Sequence, residues 1–270
     1  MNPIHPKKRL GQHFLSDRNI ARKIVAAAQS EAPRLIIEIG PGKGVLTDLL
    51  VTSGEPYVGV EIDSRLARLL RERFGKLAHF HLLEQDFLTL DLRELIARFP
   101  DHLPVVVGNI PYNITSPILF KLFEDADRLH LAVLMVQKEV GERMIARPST
   151  KAYGLLAIYS QLFAEVELLF RVPAKLFRPP PKVDSAVMRL RFRPDVRESF
   201  TDFALFEKVL HHCFGQRRKM LRKSLSALFS PDLLRKLGVD LTRRPEALTI
   251  PEWKALTETI AKLRREEAGA

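Results

Sequence analysis

Short apolar runs alternate with helical stretches along the first half of the chain. Leu35–Ile39, Tyr57–Val60 and Phe80–Leu83 are three such runs, and a fourth ends at Asn109. Amphipathic helical spacing lies between them, as over Ser64–Phe74. Strands that alternate with helices form a parallel sheet covered on both faces and joined by right-handed crossovers. The sequence therefore predicts an α/β fold.

The pattern changes near residue 194. Val166–Phe170 and Ala186–Phe192 are still strand-like, but Arg193-Pro194-Asp195 interrupts the spacing. From Phe203 to the end, the apolar spacing is helical only. We therefore predict an α/β domain over residues 1–194 and a small, all-helical domain over residues 195–270.

A glycine-rich turn follows the first strand. Gly40, Gly42 and Gly44 stand at every second position after Ile39. In the dinucleotide-binding fingerprint the last two glycines are three residues apart, and a P-loop has Ser or Thr where Gly44 follows Lys43. The spacing therefore disfavours a nicotinamide-dependent oxidoreductase and excludes a P-loop. It still lets the backbone approach a nucleoside cofactor.

Acidic residues follow the next two strands. Glu61 ends the second strand, where a carboxylate accepts hydrogen bonds from two ribose hydroxyls. Asp86 follows the third strand, where it can accept from an adenine amine while the backbone N–H of Phe87 donates to a ring nitrogen. Carboxylates after strands also cap helices or face solvent, so each residue alone is ambiguous. Three successive strand ends together predict an S-adenosylmethionine pocket.

Asn109-Ile110-Pro111-Tyr112 ends the fourth strand. The exocyclic nitrogen of adenine is a poor nucleophile, and two acceptors, the Asn109 side chain and the Ile110 carbonyl, can aim its lone pair at a methyl donor. Pro111 orients both oxygens, and Tyr112 offers a flat face to an extruded base. Asn and Pro also occur in ordinary turns, but ligands gather at the carboxyl ends of parallel strands. The tetrapeptide therefore predicts methylation of an adenine amine.

The charge of the chain indicates a polyanionic partner. Forty-three Lys and Arg residues face thirty-two Asp and Glu residues, a net charge of +11. Heat-adapted proteins also carry many charges, but their ion-pair networks tend toward balance, whereas this excess has one sign. The lone Cys213 excludes an intrachain disulfide and a cysteine-rich zinc site. Without a signal-like or membrane-spanning apolar run, we expect a cytoplasmic monomer with no metal and no membrane partner.

These motifs closely resemble those of the bacterial small-subunit ribosomal RNA adenine dimethyltransferase family, whose relatives include the erythromycin-resistance methyltransferases. Further matching segments are Gly11–Leu15, Leu176–Ser185 and Phe214–Leu221, so the resemblance covers nearly the whole chain. It implies a Rossmann-like S-adenosylmethionine-dependent methyltransferase domain followed by a helical RNA-binding domain. It also implies transfer of two methyl groups to each of two adjacent adenines in the 3′-terminal hairpin of small-subunit (16S) rRNA during ribosome assembly.

The resemblance also implies roles for single residues. In that family the amino-terminal motif closes over the methionine end of the cofactor, and many members carry Asn where this chain has His13. The implied cofactor contacts are Gln12, His13, Leu15, Gly40, Gly42, Glu61, Asp86, Phe87 and Asn109. Phe177 matches an aromatic residue that would stack on the adenine opposite Tyr112. The alternative for Phe177 is a core aromatic that anchors the proline turn.

A basic cluster lies on a predicted helix near residue 220. Its members are Arg217, Arg218, Lys219, Arg222 and Lys223. The apolar side of that helix is predicted to consist of Met220, Leu221, Leu225 and Leu228. Charge runs usually face solvent, but five cations without a carboxylate repel one another unless an anion neutralises them. We therefore predict RNA contacts here, together with Lys7-Lys8-Arg9.

Other functions stay open at this point. An RNA-binding assembly factor without activity would not need the Asn-Ile-Pro-Tyr motif, which is intact here. DNA methyltransferases usually place two prolines after the first motif residue, which this chain does not. An erythromycin-resistance-type enzyme that acts on large-subunit rRNA is the harder alternative to exclude.

Overall fold

The structure is a computed structural model that describes residues 6–7, 10–29 and 33–268. The chain divides into two compact units, Met1–Glu142 with Phe163–Pro194 and Arg143–Leu162 with Asp195–Ala270. The predicted boundary at residue 194 lies at one of these divisions. Residues 143–162 were predicted to lie in the first domain, whereas they group with the helical unit.

Hydrogen bonds explain the place of residues 143–162. The Tyr153 hydroxyl donates to the Leu248 carbonyl at 3.0 Å, and the Ser149 N–H donates to the Glu246 carbonyl at 2.7 Å. Both partners lie about a hundred residues further along the chain, a separation that leaves no local pattern to detect. The prediction therefore assigned the segment to its sequence neighbours.

Strands and helices alternate through the first unit. Its strands in the described residues are β1 (Phe14–Leu15), β2 (Arg34–Ile39), β3 (Tyr57–Val60), β4 (Phe80–Leu83), β5 (Leu103–Asn109), β6 (Leu131–Gln137), β7 (Ala164–Val172), β8 (Phe177–Arg178) and β9 (Ser185–Phe192). Its helices are α1 (Arg18–Ala28), α2 (Thr47–Leu50), α3 (Ser64–Phe74), α4 (Leu92–Ala97), α5 (Thr115–Glu124) and α6 (Lys138–Met144), which ends beyond the unit.

Seven strands form the main sheet in the order β4-β3-β2-β5-β6-β9-β7. Strands β2 to β6 pair in parallel, as predicted, whereas β9 is antiparallel to both β6 and β7. The parallel arrangement therefore ends at β6. The twelve described residues between β7 and β9 contain the short strand β8 and no α-helix, and the two strands pair antiparallel without a helical crossover.

The sheet carries the core of the first unit. Residues Val105, Val106 and Val107 of β5 are fully buried, as are Leu131–Val136 of β6. Continuous apolar strands of this kind are typical of a sheet covered on both faces. Because β2 to β5 are parallel, their carboxyl ends lie along one edge, and the residues that follow them come together there.

The second unit is helical throughout its described residues. Its helices are α7 (Leu155–Phe163), α8 (Phe203–Gly215), α9 (Leu221–Leu225), α10 (Pro231–Arg235) and α11 (Ile250–Ala268), of which α7 extends by one residue into the first unit. The rings of Tyr153, Phe214 and Trp253 pack together, with centroids 6.4 and 5.9 Å apart along the series. This aromatic core joins residues 143–162 to the two long helices.

Candidate active site

A cavity opens at the carboxyl ends of β2 to β5. Eleven of the predicted site residues line it: Gln12, His13, Leu15, Gly40, Gly42, Glu61, Asp86, Phe87, Asn109, Ile110 and Tyr112. The parallel strands thus bring together residues that are up to a hundred positions apart. Phe177 is the one predicted catalytic residue that does not line the cavity.

The glycine turn after β2 has a left-handed backbone. Gly40, Gly42 and Gly44 have φ values of 61°, 62° and 80°, which other residues rarely adopt. At Gly42 an added Cβ would lie 3.3 Å from the Phe14 ring. The Gly42 N–H donates to Glu61 Oε2 at 2.9 Å, so the turn is tied to the end of β3.

Glu61 is a buried carboxylate with fixed orientation. Its second oxygen, Oε1, accepts from the Asp63 N–H at 2.9 Å. Burial raises its pKa, and backbone hydrogen bonds from Asp63 and Gly42 oppose that shift. Each carboxylate oxygen has a further lone pair to offer a ligand hydroxyl. Ile62, which sequence reasoning missed, follows directly and is 50% exposed at the cavity wall.

Glu38 is a second buried acid at the cavity that sequence reasoning missed. It is 1% exposed, and its Oε2 accepts from the hydroxyls of Thr47 and Tyr57, both at 2.7 Å. Burial raises its pKa to about 7, despite those two hydrogen bonds. Its position inside an apolar strand, directly before the glycine turn, was the available signal.

Asp86 has the capping role that its sequence position allowed, and its cofactor contact stays a prediction. Its Oδ1 accepts from the Leu88 N–H at 2.9 Å and so caps a short helical turn. No hydrogen bond to its Oδ2 is present in the described chain, which leaves that oxygen to a ligand. Phe87 is 5% exposed and lines the same wall.

Asn109 is held by its amide nitrogen. Nδ2 donates to the His13 carbonyl at 2.7 Å, so Oδ1 is the end of the amide that stays available as an acceptor. The Ile110 N–H donates to the Met135 carbonyl at 3.0 Å, which fixes the neighbouring peptide on the sheet. No described residue donates a hydrogen bond to Asn109 Oδ1. The strand end thus presents an acceptor from a rigid support.

Tyr112 stacks on His13 and is anchored at its hydroxyl. The two ring centroids are 5.5 Å apart with 29° between the planes, and the Tyr112 hydroxyl lies 2.6 Å from Ser185 Oγ. Burial raises the pKa of Tyr112. His13 Nδ1 lies 2.9 Å from the Pro179 carbonyl, which can only accept, so Nδ1 donates.

Phe177 lies in the core, as expected if it anchors the proline turn instead of stacking on adenine. Its ring is fully buried in the hydrophobic core with residues such as Leu15 and Val172. A fully buried ring presents no face to a base, so in this conformation Phe177 anchors the segment before the proline turn. Stacking on adenine stays a prediction that requires the ring to move.

The amino-terminal segment is bound to Asp63, which sequence reasoning missed. Asp63 is 1% exposed and accepts from Lys7 Nζ at 3.1 Å and from Gln12 Nε2 at 3.2 Å. Its hydrogen bond with Arg65, followed by those with Lys7 and Gln12, holds its pKa well below the usual range. Gln12 and Glu61 line the same cavity. Lys8 and Arg9 lie outside the described residues.

The prediction of one helix under the basic cluster is wrong. α8 ends at Gly215 and α9 begins at Leu221. The Leu221 N–H donates to the Arg243 carbonyl at 2.8 Å instead of to a preceding helical turn. Met220, predicted on the apolar side, is 54% exposed. A distant loop thus satisfies the backbone where the sequence pattern alone favours helix.

The basic cluster also contains one neutralised member. The exposed cations without an ion pair among the described residues are Arg218, Lys219, Arg222 and Lys223. Arg217 Nε instead lies 2.5 Å from Glu246 Oε2, and its guanidinium also donates to the Thr150 carbonyl at 3.0 Å. For Arg217 the neutralising anion is therefore a carboxylate of the protein itself.

The two neighbouring arginines are expected to respond differently to charge reversal. Arg218→Glu should weaken RNA binding without loss of stability, because its side chain is exposed and unpaired. Arg217→Glu should also destabilise the helical unit by about 1 kcal/mol or more, because it places two carboxylates together. Chemical denaturation and RNA titration of both variants check this. Equal stability of the two variants would contradict the structural role of Arg217.

Two features are absent from the described residues. No helix there is long and apolar enough to cross a membrane. No group of three or more His, Cys, Asp or Glu side chains in that part of the chain is arranged to hold a metal ion.

The fold and cavity define a class of enzyme. A parallel sheet with a glycine turn after the first of its strands, acids after the next strands and Asn-Ile-Pro-Tyr after β5 is the arrangement of a methyltransferase that acts on an amine of a base. A family profile described as ribosomal RNA adenine dimethylase matches residues 5–262. The chain belongs to this family.

Curated relatives agree with the family assignment. Ribosomal RNA small subunit methyltransferase A from Synechocystis sp. is 45% identical over 95% of this chain and 97% of the relative. The protein of that name from Chlorobium phaeobacteroides is 44% identical over 96% of this chain and 93% of its own length. The predicted family and the prediction of an rRNA adenine dimethyltransferase are confirmed. The family also implies a cofactor of the S-adenosylmethionine type.

Solved structures agree with the fold. A dimethyladenosine transferase from Plasmodium falciparum is 27% identical with a TM-score of 0.77, covering 95% of this chain and 98% of that one. The 23S rRNA methyltransferase ErmE is 29% identical with a TM-score of 0.66, covering 92% of this chain and 99% of that one. The predicted Rossmann-like α/β fold class is confirmed.

Proposed function

We propose that this enzyme transfers methyl groups from S-adenosyl-L-methionine to two adjacent adenines of small-subunit rRNA during ribosome assembly in the cytoplasm. The observation that carries the proposal is the free Oδ1 of Asn109 at the end of β5, in the wall of the cavity that Tyr112 also lines. The names of the curated relatives support the small subunit as the source of the RNA.

The cavity fits a nucleoside cofactor that carries a positive charge. Glu61 is fixed at the end of β3 for ribose hydroxyls, and Ile62 offers an exposed apolar surface to a purine. Left-handed glycines bring the backbone of the turn close to the ligand. S-adenosyl-L-methionine supplies the methyl group as an electrophilic carbon on a sulfonium. A carboxylate in the same cavity, Glu61, favours a cation electrostatically when it is ionised.

Catalysis by this chain rests on orientation and not on a strong base. Asn109 Oδ1 and the Ile110 carbonyl accept hydrogen bonds from the two N–H groups of the adenine amine. The Tyr112 ring stacks on the face of the base. Because the nitrogen lone pair is held in line with the methyl group, little orientational entropy is lost on reaching the transition state. The methylated ammonium is strongly acidic, so its proton passes to water after transfer.

Two further predictions belong to the proposal: RNA contacts by the basic cluster, and a monomer without a metal. The exposed cations Arg218, Lys219, Arg222 and Lys223 would bind phosphates, since each is free of an ion pair among the described residues. We also propose that the enzyme is a monomer. It needs no metal, because in-line displacement at a sulfonium requires no Lewis acid.

One assay tests the proposed substrate. The protein is supplied with isotopically labelled S-adenosyl-L-methionine and with unmethylated small or large ribosomal subunits, and modified adenines are mapped by mass spectrometry. We expect label on two adjacent adenines of small-subunit rRNA only. Label on large-subunit rRNA would support the erythromycin-resistance type of activity. Tight RNA binding without label would support a non-catalytic assembly factor.

A further inference from the structure

The segment 178–184, which we call the rim loop, borders the mouth of the cavity. The Pro179 carbonyl accepts a hydrogen bond from His13 Nδ1 at 2.9 Å, and Ser185, directly after the loop, bonds the Tyr112 hydroxyl at 2.6 Å. His13 and Tyr112 both line the cavity. The rim loop is therefore held on both sides against the place proposed for the target adenine.

The pairing of β1 with β8 decides which side chain of the loop turns outward. Phe14 is opposite Arg178 and Leu15 is opposite Phe177 in this antiparallel pair. Directly opposed residues share a face, and successive residues alternate. Leu15 and Phe177 are buried at 5% and 0% exposure, so Phe14 and Arg178 share the other face. The Phe14 ring packs on the glycine turn, which places Arg178 on the cofactor side of the strand pair.

The rim loop and the residues just before it carry positive charges that form no ion pair among the described residues. Lys175, Arg178 and Lys182 are exposed, and none forms an ion pair among the described residues. One nitrogen of the Arg178 guanidinium donates to the carbonyls of Lys175 and Phe177, at 2.9 and 3.0 Å, which fixes the group and leaves its other donors free. By contrast, Arg171 on β7 is paired with Glu142.

One acid lies in the same stretch and has to be counted. Asp184 is the only carboxylate from residue 175 to residue 184. Its Oδ1 accepts from the Ala174 N–H at 2.9 Å, so this side chain is bound to the segment that precedes the rim loop. The stretch keeps a net excess of two cations. Three consecutive prolines at 179–181 limit the backbone freedom of the loop, so these charges occupy a preformed edge.

We propose that Arg178 and Lys182 bind the RNA phosphates that flank the extruded adenine, an inference that rests on the proposed function. A base that leaves its stack turns about its own backbone, so its neighbouring phosphates stay at the pocket mouth. A fixed guanidinium matches the geometry of a phosphate, and an ammonium on a flexible stem adds a second point charge. The rim loop thereby holds the strand while Asn109 and Tyr112 hold the base.

The test compares Lys182→Gln, Arg178→Gln and the double variant with Lys76→Gln. Lys76 is an equally exposed cation that precedes β4, at the edge of the sheet opposite the cavity. Affinity for protein-free small-subunit rRNA is measured between roughly 50 and 200 mM salt. We expect the double variant to bind roughly tenfold more weakly and to lower the salt slope by about one to two, as two phosphate contacts require. Lys76→Gln should match the wild type.

Cofactor binding is measured by calorimetry on the same variants. It should not change, because neither side chain lines the cavity. Lys182→Gln alone should still lower the salt slope, and this variant removes no hydrogen bond within the described chain. A double variant with wild-type RNA affinity and salt slope would overturn the inference. So would a loss seen with intact ribosomal subunits but not with protein-free RNA, which would indicate contact with a ribosomal protein.

Failure of this inference and failure of the proposed function give different results. If the wild-type enzyme methylates small-subunit rRNA but the double variant binds it normally, only the role of the rim loop is wrong. If the wild-type enzyme neither binds nor methylates that RNA, the proposed function itself is wrong.

Discussion

Asn109→Ala is expected to reduce methyl transfer by roughly a hundred- to a thousandfold at saturating cofactor and RNA. The substitution removes the one side-chain acceptor that can hold the adenine amine in line with the methyl donor. It also removes the Nδ2 bond to the His13 carbonyl, which keeps the amino-terminal segment beside β5. Single-turnover measurement separates the chemical step from binding. The loss should appear in that step, because acceptor orientation matters most in the transition state.

The matched control is Asn19→Ala. Asn19 lies on α1, where its Oδ1 accepts from Arg22, and it does not line the cavity. This variant should retain wild-type turnover. Thermal denaturation of both variants checks that the fold is intact. Near-normal turnover of Asn109→Ala, under conditions where cofactor and RNA saturate the enzyme, would remove Asn109 from the mechanism.

The strand ends of this protein could be predicted because local patterns determine them. Apolar runs stop where polar residues begin, so Ile39, Leu83 and Asn109 end their strands in both prediction and structure, while the second strand, predicted to end at Glu61, ends one residue earlier at Val60. In a parallel sheet those ends must meet, which is why residues as distant as Gly40 and Tyr112 could be assigned to one cavity. The topology of the sheet therefore explains why these separate motifs form one site.

Contacts between distant segments could not be predicted in the same way. The burial of Phe177 depends on its pairing with Leu15, far away in sequence, and the break before α9 depends on a loop at Arg243. Neither partner leaves a periodic signal. Asp63 was missed for a related reason, since a residue that caps α3 looks like an ordinary N-cap until the amino-terminal segment is found on it. Side-chain roles fixed by tertiary contact thus required the structure.

Glu38→Gln is expected to remove the loss of stability that the wild type shows as pH rises toward neutral. Burial raises the pKa of Glu38 from an ordinary value of 4.5 to about 7, so the folded state holds this proton more tightly than the unfolded chain does. Stability therefore falls as pH rises from about 4.5 to about 7 and stays reduced above that range. The full effect is about 3 kcal/mol by proton linkage. Gln keeps an acceptor for Thr47 and Tyr57 but carries no charge.

Chemical denaturation at a series of pH values from about 5 to 8.5 measures this effect, since that range spans most of the expected titration. The difference in unfolding free energy between Glu38→Gln and the wild type should grow in favour of the variant as pH rises, whatever constant offset the amide introduces. Glu72→Gln, at an exposed position on α3, is the matched control and should parallel the wild type. If the Glu38→Gln and wild-type curves are parallel too, the Glu38 carboxyl does not carry a raised pKa. The acid at the cavity wall would then be ionised throughout the physiological range, and cofactor binding would show no pH dependence from this residue.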